Sequence, residues 1–128
     1  MCMAYGLPPF IQDAAAHALE TDSQTADHVR ERLSRNREII TGELTNLGKA
    51  RLYADGGGMF AVLDVRGLGV SSSEFSWGLL SSQNVSVLPC DGFGSSGRGL
   101  VRISLCLNED VMGTAARRIA AHVKQLLP

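Results

Sequence analysis

The spacing of hydrophobic residues in this 128-residue chain changes near residue 50, and the change limits the folds it can adopt. Before that point apolar residues recur at helical intervals over 9–19 and again, for longer, over 29–47, where Gly48 ends the pattern. After it, short β-favouring runs and helical segments follow in the order β, β, α, β, β, α. The sequence therefore predicts an α+β fold, a small mixed or antiparallel sheet with helices packed on it, preceded by two helices of which the second is long.

Boundary signals place the elements of the second part. The predicted strands cover 51–53, 59–65, 85–88 and 100–107, with a tight bend in the glycine run 55–58. Ser71 and Glu74 have the spacing of a capping box and predict the start of the helix between the two pairs of strands. The face expected to be buried on that helix consists of Phe75, Leu79 and Leu80.

The flanking helices are predicted to be amphipathic. Asn108 is expected to cap the last one. Its buried stripe is predicted to be Val111, Ala115, Ile119, Val123 and Leu126. The charged side of the long helix, which carries Arg35 and Arg37, is expected to face solvent. The first helix begins near Pro9 and is expected to be buried on the side that carries Phe10 and Leu19.

Arg102 interrupts the apolar run of residues 100–105. A guanidinium stays ionised and costs several kcal/mol to bury without a partner, so its place in a strand needs a reason. Two interpretations are open. Strand alternation can turn Arg102 to solvent on an edge strand while Val101, Ile103 and Leu105 point inward. Alternatively, the strand presents the arginine to a cleft that binds a carboxylate or phosphate.

Composition excludes several classes of function. Basic and acidic residues nearly balance, 12 against 13, and no basic stripe with interleaved aromatics is present, so a nucleic-acid partner is not expected. No apolar run approaches the roughly 20 residues that cross a bilayer. Cys2, Cys90 and Cys106 are odd in number and widely spaced, which is typical of free thiols and predicts a cytoplasmic protein without a membrane partner.

Common catalytic patterns are weak in this chain. Residues 92–97 have the Gly-x-Gly-x-x-Gly spacing of a dinucleotide loop, but they connect two predicted strands and precede no helix that would supply an anion site. A flexible connection is the preferred interpretation. His17, His28 and His122 are dispersed and lie at no metal-ligand spacing, so no metal site is predicted.

Four motifs together resemble a known family. They are Asp55-Gly56-Gly57-Gly58-Met59-Phe60, Val85-Ser86-Val87-Leu88-Pro89, Phe93-Gly94 and Gly99-Leu100-Val101-Arg102-Ile103-Ser104. In this order they resemble the C-terminal, small-domain part of the fold-type-I, pyridoxal-phosphate-dependent aminotransferases of classes I and II. The apolar segment 5–15 is similar to the chain that leaves the large domain of those enzymes. Both ends of the sequence most resemble arginine:pyruvate transaminases.

The resemblance implies roles for individual residues. Arg102 matches the arginine that binds the α-carboxylate of the amino-acid substrate, and Gly58 and Phe60 match positions that line the substrate pocket. Tyr5 and Gly6 fall where the family brings one subunit towards the cofactor phosphate of its dimer mate. The intact protein is therefore expected to be a homodimeric transaminase, acting on an amino acid such as arginine and on a 2-oxo acid.

The same resemblance implies an incomplete enzyme. Transamination needs a lysine that binds pyridoxal 5'-phosphate, and neither Lys49 nor Lys124 sits in the serine-rich turn that carries this lysine in relatives. We therefore expect a fragment: residues 1–22 leave an absent large domain and residues 23–128 form the small domain. Alone, it is predicted to bind no cofactor, to have no catalytic residue and to be inactive, and its apolar N-terminus is expected to cause self-association.

Two non-enzymatic interpretations remain open at the level of sequence. The order of strands and helices resembles part of a ferredoxin-like layer, so the chain can also be an amino-acid-binding regulatory module in which Arg102 holds the carboxylate of an effector. A purely structural dimerisation domain is the weaker alternative.

Cys2 falls near a position where aspartate-specific relatives carry an arginine, and its neutrality favours basic or neutral amino acids over dicarboxylic ones.

Overall fold

The computed structural model describes residues 6, 8–21, 24–54 and 56–127, which form two compact units, 1–30 and 31–128. The first unit contains helix α1 (Pro9–Glu20) and the beginning of helix α2 (Thr25–Leu44). The expectation that α1 is buried on one side is wrong: it has no buried residue, and Phe10 is 71% and Leu19 88% exposed. Within the described part of the first unit, its apolar side chains have no second layer to pack on.

Four strands of the second unit form one antiparallel sheet in the order β1-β2-β4-β3. They are β1 (Arg51–Tyr53), β2 (Phe60–Asp64), β3 (Leu88–Pro89) and β4 (Leu100–Ser104). The predicted α+β architecture is confirmed, and all three strand pairings are antiparallel. Three strands are shorter than predicted: β2 covers Phe60–Asp64 rather than 59–65, residues 85–87 precede β3 without pairing, and β4 stops at Ser104.

One face of the sheet is buried under the helices. Ala61 and Leu63 on β2 and Val101 and Ile103 on β4 belong to one hydrophobic core, to which α2, α3 (Ser72–Gln83) and α4 (Glu109–Leu126) also contribute. Their members in the core include Ile40, Leu44, Phe75, Leu79, Met112 and Ile119. The alternate residues of β2 and β4, from Phe60 to Asp64 and from Leu100 to Ser104, lie on the outer face and are only partly covered.

The ends and faces of the helices follow local sequence signals with three corrections. Asn108 occupies the N-cap position of α4, but its side chain makes no capping hydrogen bond. The capping box at α3 is present, since the Ser71 hydroxyl accepts from the Glu74 N–H and the Glu74 carboxylate accepts from the Ser71 N–H. On α3, Leu80 is 39% exposed rather than buried. On α4, the buried stripe is centred one residue beyond the predicted one, so Val111 is 52% exposed whereas Met112 is buried.

A buried amide joins α2 to the end of the central strand. Asn36 is completely buried, and its Nδ2 donates to the carbonyl oxygens of Leu105, at 2.8 Å, and Leu107, at 2.7 Å. These carbonyls lie just beyond Ser104, where the ladder of β4 has ended, so the side chain replaces the strand partner that they lack. Asn36 thereby fixes where the chain leaves the sheet.

A buried histidine lies between α3 and α4. The ring of His122 packs edge-on against Phe75, with 5.1 Å between centroids, and its Nδ1 is 3.2 Å from the Ser82 hydroxyl. Gly78 makes room for it, because a Cβ there would lie 3.1 Å from His122 Cε1. Burial lowers the pKa of His122 below its usual value of 6.5, against the opposing effect of hydrogen bonds with Gln125 and the Phe75 backbone.

Replacement of Asn36 is expected to destabilise the second unit. Asn36→Ala removes the donor from the buried Leu105 carbonyl and the partly buried Leu107 carbonyl, which is expected to cost about 2–3 kcal/mol of unfolding free energy. Urea unfolding followed by circular dichroism measures the loss. Ser34→Ala, an exposed change on the same helix, is the control and should stay within about 0.5 kcal/mol of the wild type. Equal stability of Asn36→Ala and the control would refute the role of this amide.

The lowered pKa of His122 predicts weaker folding in mild acid. Its pKa is lower in the folded than in the unfolded chain, so the unfolded chain binds more protons below about pH 6.5 and stability falls as the pH drops through that value. Urea unfolding at pH 7.5, 6.5 and 5.5 should show this decline. His122→Gln should flatten it, whereas His28→Gln, at an exposed site in the first unit, should leave the slope unchanged.

Candidate functional site

Arg102 lies at the centre of the sheet, on its outer face. Its strand β4 runs between β2 and β3, where Arg102 is paired with Val62 on one side and Leu88 on the other. The predicted alternation is confirmed, because Val101, Ile103 and Leu105 are buried. The strand is not an edge strand, however, so the interpretation of Arg102 as an exposed edge residue is wrong and its side chain is half-buried.

Two aromatic rings lie against the guanidinium. Arg102 Cζ is 4.1 Å from the centroid of Phe60, which begins β2, and 5.4 Å from the centroid of Phe93. The face of an aromatic ring attracts a cation by about 0.5–2 kcal/mol without neutralising its charge. The rings therefore orient the guanidinium and leave its N–H groups available to an anion. Phe60 was predicted to line this site, whereas no role was predicted for Phe93.

The segment that carries Phe93 is folded, contrary to the expectation of a flexible connection. Residues 91–93 and 95–97 form two 3₁₀ turns. The hydroxyl of Ser72, buried at the start of α3, donates to the Asp91 carboxylate. Gly97 packs on the backbone of Cys90, since a Cβ there would lie 2.1 Å from the Cys90 carbonyl oxygen. These contacts hold Phe93 against the sheet. The loop is followed by strand β4 and not by a helix, so its match to the spacing of a dinucleotide-binding loop is coincidental.

The glycine run leads directly into Phe60. Gly56, Gly57 and Gly58 all have positive φ values, from 78° to 103°, which favours glycine at each position. The guanidinium of Arg37 on α2 donates from Nη2 to the Gly58 carbonyl at 2.7 Å. The expectation that Arg37 faces solvent is wrong: it is half-buried, and its Nε is buried without a hydrogen-bond partner.

A shallow cavity of about 220 Å³ opens beside Arg102. Its lining consists of Phe60, Ser86, Val87, Leu88, Arg102 and Ser104. In the described part of the chain, no carboxylate forms an ion pair with Arg102. The site thus combines a cation, an aromatic wall and small hydroxyl groups, which suits a small carboxylate.

The ionisable neighbours do not compete for this cation. Asp64 lies on the same face of the sheet, but Arg66 hydrogen-bonds both of its oxygens and thereby lowers the pKa of Asp64. Burial raises the pKa of the Cys90 thiol, although the charge of Arg102 partly opposes the effect. Cys90 therefore remains a neutral thiol near neutral pH and adds no anion to the site.

The other predicted site residues are not brought to Arg102. Gly6 is exposed in the first unit, and Tyr5 and Cys2 lie outside the described residues. Neither lysine lines the cavity: Lys49 precedes the edge strand β1, and Lys124 is exposed on α4, a helix packed under the opposite face of the sheet. The described residues place a cation beside a small cavity but no amine next to it and no phosphate cup, so they do not by themselves fit pyridoxal phosphate.

Comparison with known proteins assigns the chain to a family. The sequence model of aminotransferase class I and II matches residues 2–119. Arginine–pyruvate transaminase AruH of Pseudomonas aeruginosa is 39% identical over 127 residues, which cover 99% of this chain and 32% of that protein. The chain belongs to the class I and II aminotransferases. The predicted membership of this pyridoxal-phosphate-dependent family is thereby confirmed.

Two further aminotransferases agree with this assignment. An aspartate aminotransferase of Pyrococcus horikoshii is 29% identical over 112 residues, 86% of this chain and 29% of that protein. The crystal structure of an aromatic aminotransferase from the same organism superimposes with a TM-score of 0.83 at 29% identity, over 92% of this chain and 32% of that one. The chain spans about a third of the length of the aminotransferases it matches.

No helix within the described ranges is long and apolar enough to cross a bilayer.

The packing of Gly97 on Cys90 predicts that the loop tolerates no side chain there. Gly97→Ala forces a Cβ against a carbonyl oxygen and is expected to destabilise the chain by about 1–3 kcal/mol. Gly92→Ala is the matched control, because a Cβ at Gly92 meets nothing within 4 Å. Urea unfolding of both variants makes the comparison. Equal stabilities would show that the loop is not held in the described conformation.

Proposed function

We propose that this chain forms the small domain of a pyridoxal-phosphate-dependent aminotransferase, in which Arg102 binds the α-carboxylate of the substrate. The observation that carries the proposal is the guanidinium of Arg102, which lies between Phe60 and Phe93 at the mouth of a cavity and which no carboxylate among the described residues pairs. In the division we propose, residues 1–22 lead from the cofactor-bearing part of the enzyme, and residues 23–128 form the small domain.

The chemistry of transamination explains why an arginine suits this position. The amino-acid donor and the 2-oxo-acid acceptor share a carboxylate next to the reacting carbon, so one guanidinium serves both halves of the reaction. A bidentate pair fixes the plane of the carboxylate as well as its position, which a lysine ammonium cannot do. Such a charge-assisted pair contributes roughly 1.5–3 kcal/mol. Phe60 forms part of the pocket wall in this proposal, whereas Gly58 does not line the cavity and belongs to the segment that leads to Phe60.

The remaining chemistry comes from outside the described residues. Pyridoxal phosphate supplies an electron sink when it is bound, and the lysine and phosphate cup that hold it belong to another part of the enzyme in this proposal. Arg102 would orient the substrate towards that part. Tyr5 and Gly6 would approach the cofactor phosphate across a homodimer interface. Self-association through the apolar N-terminal segment and a cytoplasmic location stay predictions, and so does the inactivity of the chain without its lysine.

The substrate class follows from the relatives and from the cavity. The identity of 39% with an arginine–pyruvate transaminase supports arginine as amino donor and pyruvate as acceptor. The described lining of the cavity holds no second cation besides Arg102, which agrees with a substrate that carries one carboxylate. Small hydroxyl groups at Ser86 and Ser104 leave room for an uncharged part of the substrate.

A chimera tests the proposed role of Arg102. This chain replaces the matching third of the Pseudomonas aeruginosa transaminase, and steady-state rates with arginine and pyruvate are compared. Arg102→Lys keeps the charge but loses the two parallel N–H donors, so kcat/KM should fall about 10–100-fold. Arg102→Ala removes the charge as well and should lower kcat/KM further, by about 1.5–3 kcal/mol or more in all.

The control is Arg98→Ala, which removes an exposed arginine from the same hairpin and should leave kcat/KM unchanged. Cofactor absorbance should be the same in all active chimeras, because Arg102 is not proposed to hold pyridoxal phosphate. An Arg102→Ala chimera with full kcat/KM would refute the proposal. Titration of the 128-residue chain with acetate, followed by NMR at the Arg102 Nε–H, gives a second reading that does not depend on the chimera.

A further inference from the structure

Arg37 makes a contact that its place on the charged side of α2 does not predict. It lies 21 residues before Gly58, yet its Nη2 is 2.7 Å from the Gly58 carbonyl oxygen. Its Nε is buried and has no hydrogen-bond partner. Burying the Nε–H of Arg37 without a hydrogen-bond partner is unfavourable, so another contact must keep the side chain in this position. That contact is the hydrogen bond from Nη2 to the Gly58 carbonyl in the glycine run.

The glycine run has little else to hold it. Gly56, Gly57 and Gly58 occupy backbone conformations that only glycine adopts readily, and a Cβ at any of them would meet nothing within 4 Å. Such a segment is free to move unless something fastens it. In the described part of the chain, no side chain other than Arg37 donates a hydrogen bond to it.

The segment that Arg37 fastens ends at the aromatic wall of the site. Met59 accepts a hydrogen bond from the Leu105 N–H at 2.9 Å, and Phe60 is the first residue of β2, opposite Ser104. The ring of Phe60 contacts the Arg102 guanidinium at 4.1 Å. Only one residue separates the carbonyl bound by Arg37 from Phe60, so the position of that carbonyl determines the direction from which the chain enters β2.

We propose that Arg37 is a positioning residue: by holding the Gly58 carbonyl it sets where the Phe60 ring lies on Arg102, and thereby the orientation in which Arg102 meets a carboxylate. Its effect on the ring is independent of what the site binds, whereas its effect on the carboxylate rests on the proposed function. Arg37 touches neither substrate nor cofactor in this proposal. It acts through the backbone of the glycine run.

NMR of the ligand-free 128-residue chain tests the positioning step. The Phe60 ring shifts the Arg102 Nε–H resonance upfield, and Phe60→Leu calibrates that contribution. Arg37→Gln should move the resonance most of the way towards its position in Phe60→Leu. Arg32→Gln makes the same change at an exposed position on the same helix and should leave the resonance in place. A folded Arg37→Gln chain with the wild-type resonance would overturn the proposal.

The wild-type chain answers the question if Arg37→Gln does not fold. Nuclear Overhauser effects between the Arg37 guanidinium protons and the Gly58 α-protons, with slowed exchange of the former, are then the expected result. Their absence at low temperature would overturn the proposal, because the bond would not persist in solution.

Acetate titrations of the same samples separate this inference from the proposed function. If Arg102 binds carboxylates, acetate shifts its Nε–H resonance, and Arg37→Gln weakens the affinity several-fold while Arg32→Gln does not. An affinity unchanged by Arg37→Gln would refute the effect on carboxylate orientation. If acetate leaves the wild-type resonance unmoved, the proposed role of Arg102 fails, and the ligand-free comparison still decides whether Arg37 positions the ring.

Discussion

The register between β2 and β4 is the constraint on which both the core and the site depend. Five residue pairs, from Phe60 opposite Ser104 to Asp64 opposite Leu100, place Val101 and Ile103 in the core and Arg102 outside it. A slip of one residue would turn Arg102 into the core and its apolar neighbours outward. A buried, unpaired guanidinium would make that alternative costly. The charge that defines the site therefore also enforces the pairing of the central strands.

Contacts at both ends of this pair fix the register further. At one end the Leu105 N–H donates to Met59, while Asn36 binds the carbonyl oxygens that follow the strand. At the other end the Val65 N–H donates to the Gly99 carbonyl at 2.9 Å. The residues that secure the fold at the first end adjoin those that shape the pocket. Stability and site geometry are therefore not independent in this domain.

Local patterns predicted those features that depend on neighbours in sequence. Alternation in residues 100–105 gave the correct inner face, and the Ser71 capping box formed as expected. Whether β4 lies at the edge or in the centre depends on β3, a two-residue strand too short to leave a clear signal. The predicted stripe of α4 differs from the observed one because Ile119 and Val123 can belong to either of two neighbouring faces of the helix. Only packing on α3 and the sheet selects the face that is buried.

The arrangement around Arg102 could be predicted only in part for the same reason. The resemblance to aminotransferases pointed to Arg102 and Phe60, which are close in register. Phe93 reaches the guanidinium through a loop whose 3₁₀ turns depend on Gly97 and Asp91. Arg37 contacts the Gly58 carbonyl, 21 residues along the chain, and acts on Arg102 only through that backbone in our proposal. Contacts made through loop backbone do not affect the spacing of hydrophobic residues, so the sequence does not predict them. An arginine that lies among other charged residues of a helix is predicted to face solvent.

The choice of aromatic rings rather than an acid beside Arg102 bears on how such a site can bind and release a carboxylate. An acidic side chain at Phe60 would satisfy the guanidinium in the empty state, and a substrate would have to displace it. A ring attracts the cation by a smaller amount and occupies its face, so the in-plane N–H groups stay free. Asp64, the acid on the same sheet face, is already bound by Arg66. No described carboxylate neutralises the half-buried charge of Arg102, so a carboxylate that enters meets no competitor among these residues.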